Sequence, residues 1–179
     1  ATMTMTLVTC LLSLSAATAG AGTEPDPVPR PAAPPSWPHT RPLSPGISAL
    51  LEEAREKSSI VAGLINELEK TDVVVYITDS LPSNLRAPTS YLVFLTRDAG
   101  TRYLLVRISQ WRVSSRERIA LLGHELQHAL EVAAAGGVQD GAGLADLYGR
   151  IGWPGGRNQF ESKAAQTTAY RIRKELARR

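Results

Sequence analysis

Residues 114–137 read SSRERIALLGHELQHALEVAAAGG, and this stretch carries the clearest structural and functional signals of the chain. Ser114 and Glu117 form a Ser-x-x-Glu capping box, which predicts that a helix begins here. Apolar residues then recur at helical spacing, and the two glycines at 136–137 predict where the helix ends. The stretch therefore predicts one long helix over about 115–135.

The middle of this predicted helix carries the motif His-Glu-x-x-His at His124, Glu125 and His128. Histidines four residues apart lie about 40° apart on one helix face, so both imidazoles can bind one Zn²⁺ ion. Glu125 lies about 100° further round, where a carboxylate can take a proton from a metal-bound water. Two of the chain's 3 histidines belong to this motif. The alternative is a helix with two surface histidines and a solvated glutamate.

The composition excludes several other classes of protein. Apolar residues make up 43% of the chain and charged residues 21%, which is not the composition of a chain disordered throughout. The 20 basic and 17 acidic residues leave a net charge of +3, so a dedicated nucleic-acid binder is not indicated. The single cysteine excludes an internal disulfide and a cysteine-based zinc finger. A metal site must therefore rest on histidine and carboxylate.

A catalytic zinc usually has three protein ligands, and no histidine follows His128. Four later carboxylates are candidates for the third ligand. Glu161 is favoured, because it lies 33 residues after His128 at the predicted start of the last helix, which a loop of that length can return beside the first. Its alternative role is in an Asn158-x-x-Glu161 capping arrangement.

The other three carboxylates fit the third position less well. Glu131 lies one further turn along the motif helix, where a supporting contact to His128 suits it better than the metal itself. Asp140 and Asp146 lie in the glycine-rich stretch that follows. The segment at Asp146 faintly resembles the aspartate segment of aspzincin peptidases, although it lies closer to the motif than in that family.

Three segments are predicted along the chain. Residues 1–21 are a predicted export signal. Its apolar run over 7–21, about 15 residues long, is too short to span a membrane and has small residues at a cleavage-like position. Residues 22–45 contain nine of the 12 prolines and predict a spacer that forms neither a helix nor a central strand. Residues 46–179 form the predicted domain. Its expected elements are a helix over 47–70, strands over 73–77, 91–95 and 103–109 with the last two as an antiparallel hairpin, a short helix over 144–151 and a last helix from Asn158.

His124, Glu125, His128 and Glu161 together resemble the gluzincin class of zinc metallopeptidases, as in small secreted bacterial zincin-like domains. Glu161 and Ala164 are similar to the E-x-x-A-D segment of some members, with alanine in place of the acidic residue. The resemblance implies an α+β fold. It would be a minimal zincin-like domain with a small sheet and an antiparallel hairpin packed on a backing helix, an active-site helix and a C-terminal ligand helix.

The same resemblance implies the chemistry of the site. His124, His128 and Glu161 would hold Zn²⁺, and Glu125 would act as general base. The strand over 103–109 would form the edge of the cleft and pair with an extended peptide substrate. Tyr148 is a candidate for stabilising the oxyanion, and packing beside its apolar neighbours is the alternative.

These patterns predict a zinc-dependent peptidase in which Glu125 activates a metal-bound water to hydrolyse peptide bonds. We expect it to be secreted or to lie in the periplasm or cell envelope, with a peptide or protein substrate, no nucleic-acid partner and no transmembrane anchor. The alternative is a catalytically inactive zincin-like binding module or a structural-metal protein at the cell surface. The intact Glu125 argues against that alternative, because a purely structural site needs no general base.

Overall fold

A computed structural model describes residues 38–80, 90–109, 113–156 and 159–178. The predicted export signal and residues 22–37 of the predicted spacer lie outside this part of the chain, as does Asn158. The elements, in chain order, are β1 Thr40–Pro42, α1 Pro45–Lys57, α2 Ser59–Leu68, β2 Val73–Thr78, β3 Ser90–Asp98, β4 Thr101–Ile108, α3 Ser115–Ala134, α4 Gly141–Ile151, β5 Gly152–Gly156, β6 Gln159–Ser162 and α5 Lys163–Ala177. The predicted α+β class is confirmed.

The main sheet has the strand order β1-β2-β4-β3. Its first two pairings, β1 with β2 and β2 with β4, are parallel, and the predicted hairpin of β3 and β4 is antiparallel. Alternate residues of β4, such as Leu104, Val106 and Ile108, are fully buried, whereas the residues between them are partly exposed. This alternation is typical of a sheet that covers the core with one face. Helices α1, α3 and α4 contact this sheet, and α3 lies between the sheet and the helices α2 and α5.

The first strand uses residues that the sequence assigned to the spacer. Thr40–Pro42 pairs with Val75–Ile77 at one edge of the sheet. An edge strand is where a proline is tolerated, because its missing N–H is not needed by a second neighbour. Pro45 in turn occupies the first turn of α1, where its fixed φ angle suits a helix start. In the part of the chain that the structure describes, the first regular element thus begins at Thr40, six residues before the expected start of the domain.

The single helix predicted over 47–70 is wrong, because the chain breaks it at Ser58. This residue has extended backbone angles, and its hydroxyl accepts from Val61 N–H as the N-cap of α2. Glu175 of α5 stabilises this break between the two helices. It accepts hydrogen bonds from the Ser58 hydroxyl at 2.6 Å, the Ser59 hydroxyl at 2.7 Å and the Ser59 N–H at 2.8 Å. Apolar spacing continues across the break, so periodicity alone does not reveal it.

The motif helix is confirmed as α3, and its N-cap is confirmed as Ser114, whose hydroxyl accepts from Glu117 N–H at 3.2 Å. Glu117 does not complete the capping box. Its carboxylate instead accepts two hydrogen bonds from Arg173 of α5, at 2.6 and 2.8 Å. Gly123 allows α5 to pack closely, since a Cβ at this position would lie 2.1 Å from the end of the Ile172 side chain. Two contacts thus hold α5 beside the N-terminal half of α3.

No helix within the described ranges combines the length and the apolar composition needed to cross a membrane.

Asp72 makes part of the stability of this fold dependent on pH. Its carboxylate accepts two hydrogen bonds from Arg102, at 2.6 and 2.8 Å, and these hold the pKa of Asp72 below its ordinary value against the opposing effect of burial. In acid the native state therefore binds fewer protons than the unfolded state. The stabilisation is fully present above the ordinary aspartate pKa and is lost as the pH falls through the lowered value.

We therefore expect Asp72→Asn to remove part of the acid destabilisation of the domain. Because nearly half of the Asp72 side chain is exposed (46%), the effect should be modest. Melting temperatures measured from about pH 7 down to about pH 3 would show it as a flatter acid limb. Asp146→Asn, at an exposed position, is the matched control. Parallel acid limbs for Asp72→Asn and the wild type would contradict the assignment.

Candidate metal centre

His124 and His128 lie one turn apart on the side of α3 that faces the β5–β6 hairpin. Their Nε2 atoms are 3.1 Å apart, and their rings are nearly perpendicular, at 81°. Two nitrogens that each lie 2.0–2.1 Å from a tetrahedral metal ion are separated by about 3.3 Å. The pair therefore has nearly the spacing that one bound ion requires. Both rings are largely buried, with 12% of the His124 side chain and 4% of the His128 side chain exposed.

Glu161 completes this group from another part of the chain. Its Oε1 lies 3.4 Å from His124 Nε2, and the candidate ligand atoms of His124, His128 and Glu161 all lie within 4.8 Å of one another. The prediction that these three side chains converge is confirmed. The prediction that Glu161 opens the last helix is wrong, because it belongs to strand β6 and α5 begins two residues later.

The β5–β6 hairpin places Glu161 where it can meet the histidines. Trp153 is its partner across the hairpin, and Gly152 pairs with Ser162. A Cβ on Gly152 would lie 2.1 Å from the backbone oxygen of Glu161, so a larger residue would push the two strands apart. Trp153 thus lies in strand β5, and Gly152 of that strand permits the close pairing.

Glu131 contacts His128 at Nδ1, the ring nitrogen that does not face His124, and this is the supporting contact that the sequence predicted. Its Oε2 lies 2.8 Å from His128 Nδ1, and the same oxygen accepts from the Tyr148 hydroxyl at 3.1 Å. Its Oε1 accepts from the Ser162 hydroxyl at 2.5 Å. Nδ1 then carries the proton of a neutral His128, which leaves the Nε2 lone pair on the metal side. The Glu131 carboxylate is thus a supporting group and not a metal ligand.

Electrostatics agrees with this assignment. Burial acts to raise the pKa of Glu131, but hydrogen bonds from His128 and Ser162 outweigh it, and the pKa lies below its ordinary value. Burial acts to lower the pKa of His128, yet the hydrogen bond to Glu131 and the nearby carboxylates raise it. The pKa of His124 is lowered, by burial first and then by His128. The shift of His124 favours its neutral form, which is the form that binds a metal, whereas the shift of His128 favours the charged form while no ion is bound.

Tyr148 lies beside His128, and its hydroxyl is engaged there. Its side chain is 2% exposed, its ring stacks on Phe160, and its hydroxyl lies 2.8 Å from His128 Nδ1. Nδ1 is the ring nitrogen that does not face His124, so in this arrangement the hydroxyl supports the histidine. Burial raises the pKa of Tyr148, followed by the effect of Glu131, so the phenol keeps its proton. A role in stabilising the oxyanion stays a prediction, beside the packing contact with Phe160.

Glu125 is a buried carboxylate with one oxygen engaged and one free. It is 2% exposed, and its Oε1 accepts from the Ser90 hydroxyl at 2.6 Å. Its Oε2 is also buried and has no hydrogen-bond partner among the described residues. Burial raises the pKa of Glu125 to about 7, against the lowering effects of His128 and Ser90. A carboxylate with these properties can hold or release a proton near neutral pH.

A small cavity of about 20 Å³ adjoins these groups, which is room for about one water molecule. It lies between β3, α3, α4 and β6. Its lining residues are Ser90, Tyr91, Leu92, Glu125, His128, Leu144, Tyr148, Phe160 and Glu161. The cavity thus brings the free carboxylate, one candidate ligand histidine and the candidate ligand Glu161 to one space.

The edge of the sheet beside this cavity is β3 and not β4. The expectation that the strand over 103–109 forms the cleft edge is wrong, because β4 is paired with β2 on one side and β3 on the other. In the described sheet β3 is the terminal strand, and its first residues, Ser90 to Leu92, line the cavity. An extended partner strand could add to the sheet only at β1 or β3, and β3 is the one at the site.

The remaining carboxylate candidates do not join the group. Asp140 is the N-cap of α4, and its side chain accepts from Gly143 N–H at 2.8 Å. Asp146 is exposed on the same helix. Within the described ranges, neither belongs to the cluster formed by His124, His128 and Glu161.

Sequence reasoning missed two serines that contact the site. Ser162 is the N-cap of α5, and its spacing to Ala165 in a helical pattern is a signal that could have located this helix start. Ser90 carries no comparable local signal, because its contact with Glu125 spans 35 residues.

The donor set fits a metal ion. Two imidazole nitrogens and one carboxylate oxygen converge, and this combination is found in catalytic zinc sites that leave the fourth position open. Comparison of the chain with family models, with curated proteins and with solved structures gives no significant match. The function therefore has to be argued from the geometry of these residues.

Proposed function

We propose that this chain is a zinc-dependent peptidase of gluzincin type, with His124, His128 and Glu161 as the ligands and Glu125 as the general base. The observation that carries the proposal is the state of Glu125. Its one free, buried oxygen belongs to a side chain that lines the same small cavity as two of the three candidate ligands. A structural metal site has no use for such a group, since its ligands usually close the coordination shell.

The ion, when bound, would polarise the scissile carbonyl and lower the pKa of a neighbouring water. The residues of the chain supply the rest of the chemistry. Ser90 holds Oε1 of Glu125 and leaves Oε2 to accept a proton. Glu125 keeps that proton in a buried position and can return it to the leaving amine. Glu131 and Tyr148 keep His128 oriented throughout.

The sheet edge supports a peptide as the substrate class. An extended peptide would pair with β3, whose first residues line the cavity. This contact recognises a peptide backbone, whereas a small polar molecule would gain nothing from it. Export through residues 1–21 stays a prediction that accords with a peptidase acting outside the cytoplasm.

The test is metal-dependent hydrolysis of a peptide library by the full chain. Zinc-loaded protein should cleave, chelator-treated protein should not, and added zinc should restore activity. Protein that binds zinc stoichiometrically but cleaves no peptide would favour the binding-module alternative.

We expect Glu161→Ala to weaken zinc binding by about 100-fold, because it removes one of the three converging donors. Competition against a chromophoric chelator measures the affinity directly and needs no substrate. Asp146→Ala, an exposed carboxylate outside the cluster, is the matched control and should bind zinc like the wild type. An affinity unaffected by Glu161→Ala would refute the assignment of the third ligand.

A further inference from the structure

Ser162 lies at the junction between strand β6 and helix α5, and its hydroxyl makes two hydrogen bonds. It accepts from Ala165 N–H at 3.1 Å, which is the ordinary contact of an N-cap. It also donates to Glu131 Oε1 at 2.5 Å. Capping uses only the acceptor capacity of a hydroxyl, so the second contact is independent of the cap.

The second contact extends to the candidate metal centre. Glu131 holds His128 Nδ1 with its other oxygen, so Ser162, Glu131 and His128 form one hydrogen-bonded series. Ser162 is 2% exposed, and the Glu131 side chain is 10% exposed. In such a buried series each donor is expensive to remove, because the carboxylate would lose a partner that water cannot easily replace.

The residue before Ser162 is Glu161, the candidate third ligand. Consecutive residues of β6 therefore meet α3 at two separate points, Glu161 at His124 and Ser162 at Glu131. His124 and Glu131 are seven residues apart, which is about 10 Å along the helix axis. Two contacts at that separation fix both the position and the direction of the strand end relative to α3, which a single contact cannot do.

We propose that Ser162 is a positioning residue for the metal centre, which fixes Glu161 and His128 in one arrangement through its hydrogen bond to Glu131. The proposal rests on the metal-binding function proposed above and adds to it a residue that does not touch the ion. Serine or threonine can serve at this position, because each offers a donor and an acceptor. Glycine can cap the helix but cannot donate to Glu131.

The experiment measures zinc affinity of the full chain by chelator competition, with the melting temperature of the metal-free protein beside it. Ser162→Ala should weaken zinc binding by about 10- to 100-fold, as removal of groups that support metal ligands commonly does. Glycine is well accepted at an N-cap position, so Ser162→Gly should largely preserve the start of α5 and still weaken zinc binding by a similar factor. Ser162→Thr should keep nearly the affinity of the wild type.

Ser114→Ala is the matched control, because Ser114 caps α3 in the same way at the end of the helix away from Glu131. It should lower the melting temperature like Ser162→Ala and leave zinc affinity unchanged. The proposal is overturned if Ser162→Ala and Ser162→Gly bind zinc as tightly as the wild type. If the wild type itself binds no zinc, both the metal centre and the role of Ser162 are refuted. If the wild type binds zinc and the Ser162 variants bind it equally well, only the role of Ser162 is refuted.

Discussion

Glu125→Gln should lower peptide hydrolysis by about 10²- to 10⁴-fold while zinc binding stays close to that of the wild type. The substitution keeps the shape of the side chain and a carbonyl oxygen for the Ser90 hydroxyl. It replaces the free Oε2 with an NH₂ group, which donates where the reaction needs an acceptor. Glu125 is not among the three converging ligands, so the metal should remain.

The fold should tolerate this change. Burial raises the pKa of Glu125 to about 7, so the buried site already disfavours the charged form. A neutral glutamine removes that cost, and the melting temperature should stay level or rise. A loss of activity at unchanged or higher stability separates a chemical role for Glu125 from a structural one.

Glu67→Gln is the matched control, since it makes the same chemical change at an exposed position on α2. Hydrolysis by Glu67→Gln should equal that of the wild type in kcat/KM. Hydrolysis by Glu125→Gln at the wild-type rate would show that the base is another group. Zinc binding without cleavage by any of the three proteins would point to a binding module.

The helix at the centre of the site could be predicted because its signals are local. Ser114 caps it, apolar residues follow one face, and two glycines lie just past its end. The placement of His124, Glu125 and His128 on neighbouring faces then follows from the helical repeat alone. Glu161 could be named as a ligand because few carboxylates follow the motif at a sufficient distance.

The element that carries Glu161 could not be predicted in the same way. Two possible capping patterns follow each other there, one from Asn158 to Glu161 and one from Ser162 to Ala165. The local sequence does not determine which of them starts the last helix. The pairing of β6 with β5 decides the matter, and it depends on Gly152, nine residues before Glu161.

Which strand forms the edge of the sheet depends on pairings between residues still further apart in sequence. The hairpin of β3 and β4 is local and was predicted, but the parallel partner of β4 is β2, about 30 residues earlier. That partner determines that β4 is internal and β3 is terminal. The break at Ser58 has the same origin, since Glu175 lies 117 residues away. Such contacts fix which residues face the site without leaving a local pattern.

Arg102 of β4 anchors the other end of α3, and its loss should strongly lower the stability of the domain. All five N–H groups of its guanidinium are used. Two donate to Asp72, and three donate to the last carbonyls of α3, those of Val132, Ala133 and Ala135, at 2.6 to 3.0 Å. Residues 131–134 of the last turn read EVAA and contain no basic side chain, so Arg102 supplies the positive charge that a helix C-terminus favours.

We expect Arg102→Met to lower the free energy of unfolding by about 2–4 kcal/mol, because Arg102 is 3% exposed and its removal leaves the buried carbonyl of Val132 and the part-buried carbonyls of Ala133 and Ala135 without their donor. Arg102→Lys should recover part of the loss, since lysine keeps the charge but has three donors and no planar fork. Urea unfolding curves of the metal-free protein measure both. Arg97→Met is the matched control, as Arg97 is the exposed partner of Arg102 across the hairpin.

A second set of unfolding curves, measured with zinc present, links Arg102 to the proposed metal centre. An ion that binds only the folded chain adds stability in proportion to the logarithm of its concentration over its dissociation constant. Saturating zinc should therefore raise the unfolding midpoint of Arg102→Met, and by less than in the wild type if the loosened end of α3 disturbs the contacts of Glu131 with His128. An Arg102→Met protein as stable as Arg97→Met would show that the guanidinium contacts contribute no net stability and that the packing of α3 on the sheet is sufficient.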